Sequence, residues 1–128
     1  MEQGTYIDKV ITSKDEINEI ITKLKKYNFD TFRKTLHYKI SIMEKDTNEE
    51  ELRKVFLEFW RIEVVNIRKR KNNNENYDIY YSMDDGTYIL YAINLNIDPP
   101  ALLNAIHVHT NFNNFKKSLF RNYKDKLV

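Results

Sequence analysis

The sequence contains no cysteine, only two glycines and two prolines, and no long apolar run. Without cysteine the chain can form no disulfide, no thiolate zinc site and no thiol nucleophile. With glycine this scarce, a glycine-rich phosphate-binding loop is excluded as well. No stretch approaches the roughly 18 apolar residues that span a bilayer, and the first residues lack the apolar region of a signal peptide. We therefore expect a cytoplasmic protein that uses no cofactor and contacts no membrane.

Hydrophobic residues make up 41% of the 128 residues, and charged residues make up 31%. This length and composition predict one folded domain over residues 1–128. The net charge of +2 is too small to indicate a nucleic-acid partner, but the charges are unevenly distributed. Residues 44–51 hold five acids and one base, whereas residues 61–71 and 116–126 each hold five bases and one acid. Such runs are usually solvated faces, and they also mark surfaces that attract charged partners.

Apolar residues recur at helical spacing in three segments, and turn residues mark a fourth. Asp98 followed by Pro99 is a good N-cap and first helical position. The two signals together predict helices over residues 14–27, 48–59, 100–106 and 112–126.

The segment from Phe59 to Leu95 alternates apolar and polar residues, with a basic, asparagine-rich tip in its first half. This pattern predicts three consecutive strands. In the first of them Trp60 is placed inward, and the apolar phase then changes at Val64 and Val65, which indicates a β-bulge.

The turn between the second and third of these strands is Asp84-Asp85-Gly86. A three-residue loop with Gly86 in the left-handed conformation sorts the apolar residues best. That register pairs Tyr81 with Ile89, Ile79 with Tyr91 and Tyr77 with Ile93. It places Tyr80 and Tyr88 on the opposite face of the sheet.

Two further strands complete the expected sheet. Tyr6–Ile11 offers a short first strand, and a helical turn at Phe29 precedes an alternating segment over residues 36–43, which predicts another. We therefore expect an α+β fold with a mainly antiparallel sheet of four or five strands, in the order β-α-β-α-β-β-β-α-α.

His107-Val108-His109 is the only paired histidine motif in the chain. Together with Tyr123 and Lys126 it resembles endonucleases that combine a His-hydrophobic-His motif with a Tyr-x-x-Lys sequence. This resemblance implies a metal held by the histidines and a tyrosine that attacks the phosphodiester. Metal sites need three or four ligands, and no third ligand is evident nearby, so we predict no metal site. His107, His109 and Tyr123 remain candidates for catalysis.

A basic, tyrosine-rich meander that ends in a helix resembles the RelE/ParE-type toxins, with residues 77–81 and 87–91 in the place of their central hairpin. The resemblance implies a metal-independent endoribonuclease. Arg68, Lys69 and Arg70 would then stabilise phosphate, and His107 would transfer protons.

A binding surface is the other interpretation of the same segment. Tyr80, Tyr88 and Arg68 can form a platform on which bases stack, unless a helix covers that face. The remaining candidate contacts are basic residues of the tip and the last helix: Lys69, Arg70, Lys71, Lys116, Lys117 and Arg121. The aromatic last helix is also a candidate homodimer surface.

The sequence therefore predicts a small non-enzymatic binding or accessory protein, of the kind found in mobile elements. It would engage nucleic acid or a protein partner through the basic hairpin and the C-terminal helix. The ribonuclease toxin is the alternative.

Overall fold

The computed structural model describes residues 5–45, 47–70 and 74–128. Within these ranges the chain forms one open sheet of six strands and four α-helices. The strands are β1 (Tyr6–Ile11), β2 (Arg33–Lys34), β3 (Ile62–Lys69), β4 (Glu75–Ser82), β5 (Tyr88–Asn94) and β6 (Ala101–Val108). The helices are α1 (Lys14–Leu24), α2 (Leu36–Glu44), α3 (Glu49–Phe56) and α4 (Phe112–Asn122).

The strand order across the sheet is β1-β3-β4-β5-β6-β2. Neighbouring strands are antiparallel except β2, which runs parallel to β6. The α+β class is confirmed, but the sheet is mixed and has six strands instead of the expected four or five. The difference arises because β6 and the short β2 extend the sheet beyond β5.

Helices pack on both faces of the sheet. Apolar residues of α1, α2 and α3 join the inner residues of the strands in one core, in which Tyr38, Phe56, Tyr81 and Tyr91 are fully buried. The opposite face carries a second, smaller core between the sheet and α4. The longest described helices have 11 residues, and none is long and apolar enough to cross a membrane.

The predicted hairpin is confirmed in its register. Tyr77 pairs with Ile93, Ile79 with Tyr91 and Tyr81 with Ile89. Gly86 closes the three-residue turn with a φ of 88°, the left-handed conformation that glycine adopts without strain. The expected bulge in β3 lies between Ile62 and Val64, next to the predicted position.

The strand expected over residues 36–43 is wrong, because this segment is helix α2. The side chain of Thr35 accepts a hydrogen bond from the Tyr38 backbone N–H and caps the helix. Leu36 and Ile40, which the alternation placed inside, are 73% and 44% exposed. The apolar alternation therefore did not reflect burial.

The short helix expected over residues 100–106 is also wrong. Residues 101–108 form β6, which pairs with β5 along its length; Leu90 faces Ile106 and Tyr91 faces Ala105. The Asp98-Pro99 peptide bond is cis and belongs to the connection that precedes β6, so it starts no helix. Without β6, β5 would expose an unpaired edge next to the core.

Helix ends differ from the predicted bounds by a few residues. α1 ends at Leu24 and α3 at Phe56, and a separate 3-10 turn follows α3 at Phe59–Arg61. Trp60 in this turn is 75% exposed instead of facing inward. α4 ends at Asn122, before another 3-10 turn at Lys124–Lys126.

Candidate functional site

Helix α4 covers the sheet face that carries Tyr80 and Tyr88. The two tyrosines are 5% and 6% exposed. The ring centroid of Tyr88 lies 4.8 Å from that of Phe112, and the centroid of Tyr80 lies 5.1 Å from that of Phe115. The helix starts beside the hairpin turn, since the Phe112 N–H donates to the Gly86 carbonyl at 2.8 Å. The sequence allowed an open stacking platform on this face of the sheet. The structure has an aromatic core there instead.

Three of the basic residues suggested by the sequence bind acids within the protein. Arg68 donates to the carboxylate of Asp78 on the neighbouring strand. Lys69 lies 3.5 Å from Asp8 and 3.7 Å from Glu75, and the ammonium group of Lys116 contacts Glu63. These three side chains are partly neutralised by their own neighbours.

The other basic candidates lie at the surface. Arg70, Lys117 and Arg121 are exposed, and none of them has an ion-pair partner in the described part of the chain. Lys71 lies outside the described residues. Lys117 and Arg121 are four residues apart on α4 and therefore share one side of the helix. Residues 112–124 contain no acid. We call the exposed Lys117 and Arg121 on α4, together with the exposed Lys124 in the 3-10 turn that follows the helix, the basic strip.

A cavity of about 230 Å³ opens between α4 and the sheet, beside this strip. Its polar lining includes Asn66, Arg68 and Tyr80 from the strands and Ser118 and Asn122 from the helix. Ile7, Phe115, Leu119 and Tyr123 complete the wall.

Burial affects two of the side chains that line this cavity, Asn66 and Tyr80. Asn66 is 1% exposed, and its Oδ1 has no hydrogen-bond partner among the described residues, while its Nδ2 lies 3.4 Å from the Tyr80 hydroxyl. Burial, reinforced by the nearby Asp78 carboxylate, raises the pKa of Tyr80 above its ordinary value, so the phenol stays neutral. Asn66 thus lines the cavity beside a neutral hydroxyl and a guanidinium group, but its unpartnered amide oxygen is closed to solvent.

The histidines lie in a separate cleft of about 480 Å³, which is also lined by Lys45, Thr47, Asn48 and Glu51. The Nδ1 atom of His107 is 3.1 Å from Glu51 Oε1, and its Nε2 atom is 2.7 Å from Thr87 Oγ1. The rings of His107 and His109 stack with centroids 4.2 Å apart. Glu51 and Thr87 are partners that the sequence reasoning missed.

Thr87 is already engaged by the turn that precedes it. Its hydroxyl donates to the carboxylate of Asp85, and these hydrogen bonds lower the pKa of that carboxyl group. Thr87 Oγ1 and Glu51 Oε1 thus contact the two ring nitrogens of His107. The arrangement holds the His107 ring in one orientation.

The structure separates the histidines from Tyr123. Tyr123 lines the cavity beneath α4, whereas His107 and His109 lie in the cleft beside α3. Within residues 5–45, 47–70 and 74–128, no group of three or more His, Asp or Glu side chains is placed to hold a metal ion. The geometry therefore does not assemble the metal and tyrosine pair that the His-hydrophobic-His resemblance implies.

Comparison of the chain with models of known protein families, with curated proteins and with solved structures finds no match.

Proposed function

We propose that this chain is a small non-enzymatic accessory protein that binds nucleic acid along the outer side of α4. The observation that carries the proposal is the basic strip, in which Lys117 and Arg121 are exposed, unpaired among the described residues and not balanced by any acid on the helix. Arg70 is likewise exposed, two residues beyond the cavity-lining Arg68. Contacts from lysine and arginine to phosphates supply most of the affinity in non-specific nucleic-acid binding.

Helix α4 has a buried apolar side and an exposed polar side. This division favours nucleic acid over a protein partner or a second copy of the chain. Its apolar residues Phe112 and Leu119 are buried against the sheet. Protein interfaces depend on apolar and aromatic anchors that enter pockets of the partner. The outer side of α4 offers lysine, arginine and asparagine instead, which suits a phosphate backbone.

Fluorescence anisotropy with labelled RNA and DNA oligonucleotides tests the proposal. We expect binding at low salt that weakens steeply as NaCl is added. The double variant Lys117→Gln/Arg121→Gln should bind about tenfold more weakly, and its salt slope should fall by about two, one for each lost phosphate contact.

A matched control removes the same charge from the other side of the sheet. Lys14 and Lys25 are exposed residues at the two ends of α1. The double variant Lys14→Gln/Lys25→Gln should bind with the affinity of the parent, and its salt slope should differ from that of the parent by less than about one. Absence of binding at low salt, or equal losses in the two double variants, would contradict the proposal.

The histidine cleft supports a second candidate function, a metal-independent endoribonuclease. One cleft brings together His107, His109 and Lys45, and Glu51 orients the ring of His107. RNA cleavage needs a base, an acid and a cation, which these three side chains can supply.

An RNA cleavage assay in the presence of a chelator tests this candidate. The ribonuclease candidate predicts that cleavage survives the chelator, is lost in His107→Ala, and is unchanged in Tyr123→Phe, because Tyr123 lines the other cavity. A purified protein that leaves RNA intact would remove the ribonuclease from consideration without affecting the binding proposal.

A further inference from the structure

We propose that the cavity between α4 and the sheet receives one unstacked base of a single-stranded nucleic acid. The inference rests on the proposed function, because the basic strip has to hold the backbone beside the cavity. It adds to that function a preference for single strands over duplexes.

The cavity has the size and the walls that a single base requires. Its volume of about 230 Å³ is smaller than the roughly 300 Å³ at which pockets for larger ligands begin. The partly exposed rings of Phe115 and Tyr123 line it and are the ones available for stacking, together with the apolar side chains of Ile7 and Leu119 and the buried Tyr80. Aromatic side chains stack on any base because every base has a π-face, and this contact is available only when the base has left a duplex.

The polar groups in the cavity match the edge of a base. Asn66 Oδ1 has no donor in the described part of the chain and is closed to solvent, so an N–H group from a base would satisfy it only once the side chain has turned towards the cavity. Arg68 uses its Nε atom to bind Asp78, and its guanidinium also carries two terminal nitrogens that can donate to a ring nitrogen or a carbonyl oxygen. The guanidinium is therefore complementary to the acceptor atoms on the edges of the bases, and Asn66 adds an acceptor after its side chain has turned.

The mouth of the cavity continues into the basic strip. Ser118 and Asn122 line the cavity, and each directly follows a member of the strip, Lys117 and Arg121 respectively. At about 100° per residue, one step along the helix moves from the outer side to the flank that faces the sheet. A strand whose phosphates contact Lys117 and Arg121 therefore passes directly over the opening.

Anisotropy titrations with three labelled ligands of equal length test the inference: a single strand, the same strand with abasic sites throughout, and the duplex. We expect the intact single strand to bind about tenfold more tightly than the abasic strand, which is the effect of stacking one base. The duplex should resemble the abasic strand, because its bases remain paired.

A variant that fills the cavity provides the second arm. Ser118→Trp should lower the affinity for the intact strand about tenfold and leave binding of the abasic strand and the salt slope unchanged. Asn114→Trp is the matched control, because Asn114 is exposed one turn earlier on α4 and does not line the cavity. Thermal denaturation of both variants verifies that they are folded, and the abasic comparison remains decisive if Ser118→Trp does not fold.

The outcomes separate the cavity from the basic strip. If the intact and abasic strands bind equally, while Lys117→Gln/Arg121→Gln weakens both, the basic strip binds nucleic acid and the cavity takes no base. If none of the three ligands binds, the proposed function fails and the base site fails with it.

Discussion

Two buried tyrosine hydroxyls on the sheet each donate a hydrogen bond to a backbone carbonyl of α3. The Tyr81 hydroxyl donates to the Phe56 carbonyl at 2.8 Å, and the Tyr91 hydroxyl donates to the Leu52 carbonyl at 2.7 Å. Phe56 is the last residue of α3, so its carbonyl has no donor within the helix, whereas the Leu52 carbonyl lies one turn earlier, where the helix supplies one.

Removing these hydroxyls should therefore have unequal effects. We expect Tyr81→Phe to lower the free energy of unfolding by about 1–3 kcal/mol, since it leaves a buried carbonyl unsatisfied. Tyr91→Phe should cost about 1 kcal/mol, because the Leu52 carbonyl keeps its helical partner. Urea denaturation of the two variants measures both values, and a larger cost for Tyr91→Phe would contradict this account.

The buried carboxyl group of Asp78 should give the stability of the protein a recognisable pH dependence. Asp78 is 5% exposed; burial raises its pKa above the ordinary 3.8, and the hydrogen bond from Arg68 offsets only part of this effect. The folded protein thus binds this proton more tightly than the unfolded chain does. The contribution of this group to stability consequently falls as the pH rises from 3.8 through the folded-state pKa.

Asp78→Asn removes this titration and leaves the other acids in place. We expect the free energy of unfolding of the parent, minus that of the variant, to decrease as the pH rises from about 3 towards neutrality. Denaturant titrations at a series of pH values measure the difference. A difference that increases with pH would mean that pairing with Arg68 outweighs burial.

Among the helices and strands, the sequence predicts correctly those in which the apolar pattern matches the residues that are buried. The β4–β5 hairpin is the best example, because the placement of Gly86 and the sorting of apolar residues specify one register. β6 is not predicted because its pairing with β5 and β2 decides its conformation. α2 is not predicted because its apolar residues alternate as in a strand although Thr35 caps a helix there. The histidine cleft is likewise only partly predictable from local sequence. His107 stands out in the sequence as part of a paired histidine motif. Its partners Glu51 and Thr87 are 56 and 20 residues away, and no local pattern connects them to it.

The orientation of α2 can be tested by two substitutions on the segment that resembled a strand. A strand would bury Leu36 and Tyr38 on the same face, whereas α2 leaves Leu36 73% exposed and Tyr38 only 1% exposed. We expect Leu36→Lys to change the free energy of unfolding by less than about 0.5 kcal/mol. Tyr38→Ala should cost about 3–5 kcal/mol, as large-to-small changes of buried aromatic residues do. Thermal or urea denaturation measures both, and a large loss in Leu36→Lys would indicate that this face is buried.

In the whole molecule, one edge strand of the sheet is very short and the other, β1, is covered at its C-terminal end, which limits pairing with other chains. One edge ends in β2, which has only two residues. The other edge is β1, and the last residues of the chain lie along it. The Val128 N–H donates to the Val10 carbonyl at 2.9 Å, and the Val128 carbonyl accepts from Thr12 and Ser13 at 2.9 and 3.1 Å. Unpaired backbone groups on an exposed edge strand are templates for association, so these bonds oppose pairing with other chains at this end of β1.

Deleting residues 127–128 should uncover the edge of β1 and leave the rest of the sheet intact. We expect faster hydrogen exchange at the Thr12 amide, a loss of about 1–3 kcal/mol in the free energy of unfolding, and self-association that increases with concentration. The control is Leu127→Ala, which keeps the backbone bonds and changes a side chain that is already 40% exposed. Hydrogen exchange and light scattering measure these effects. If the deleted chain remained monomeric and its Thr12 amide remained protected, the protection of β1 would have to come from β3 and the helices, without the C-terminal residues.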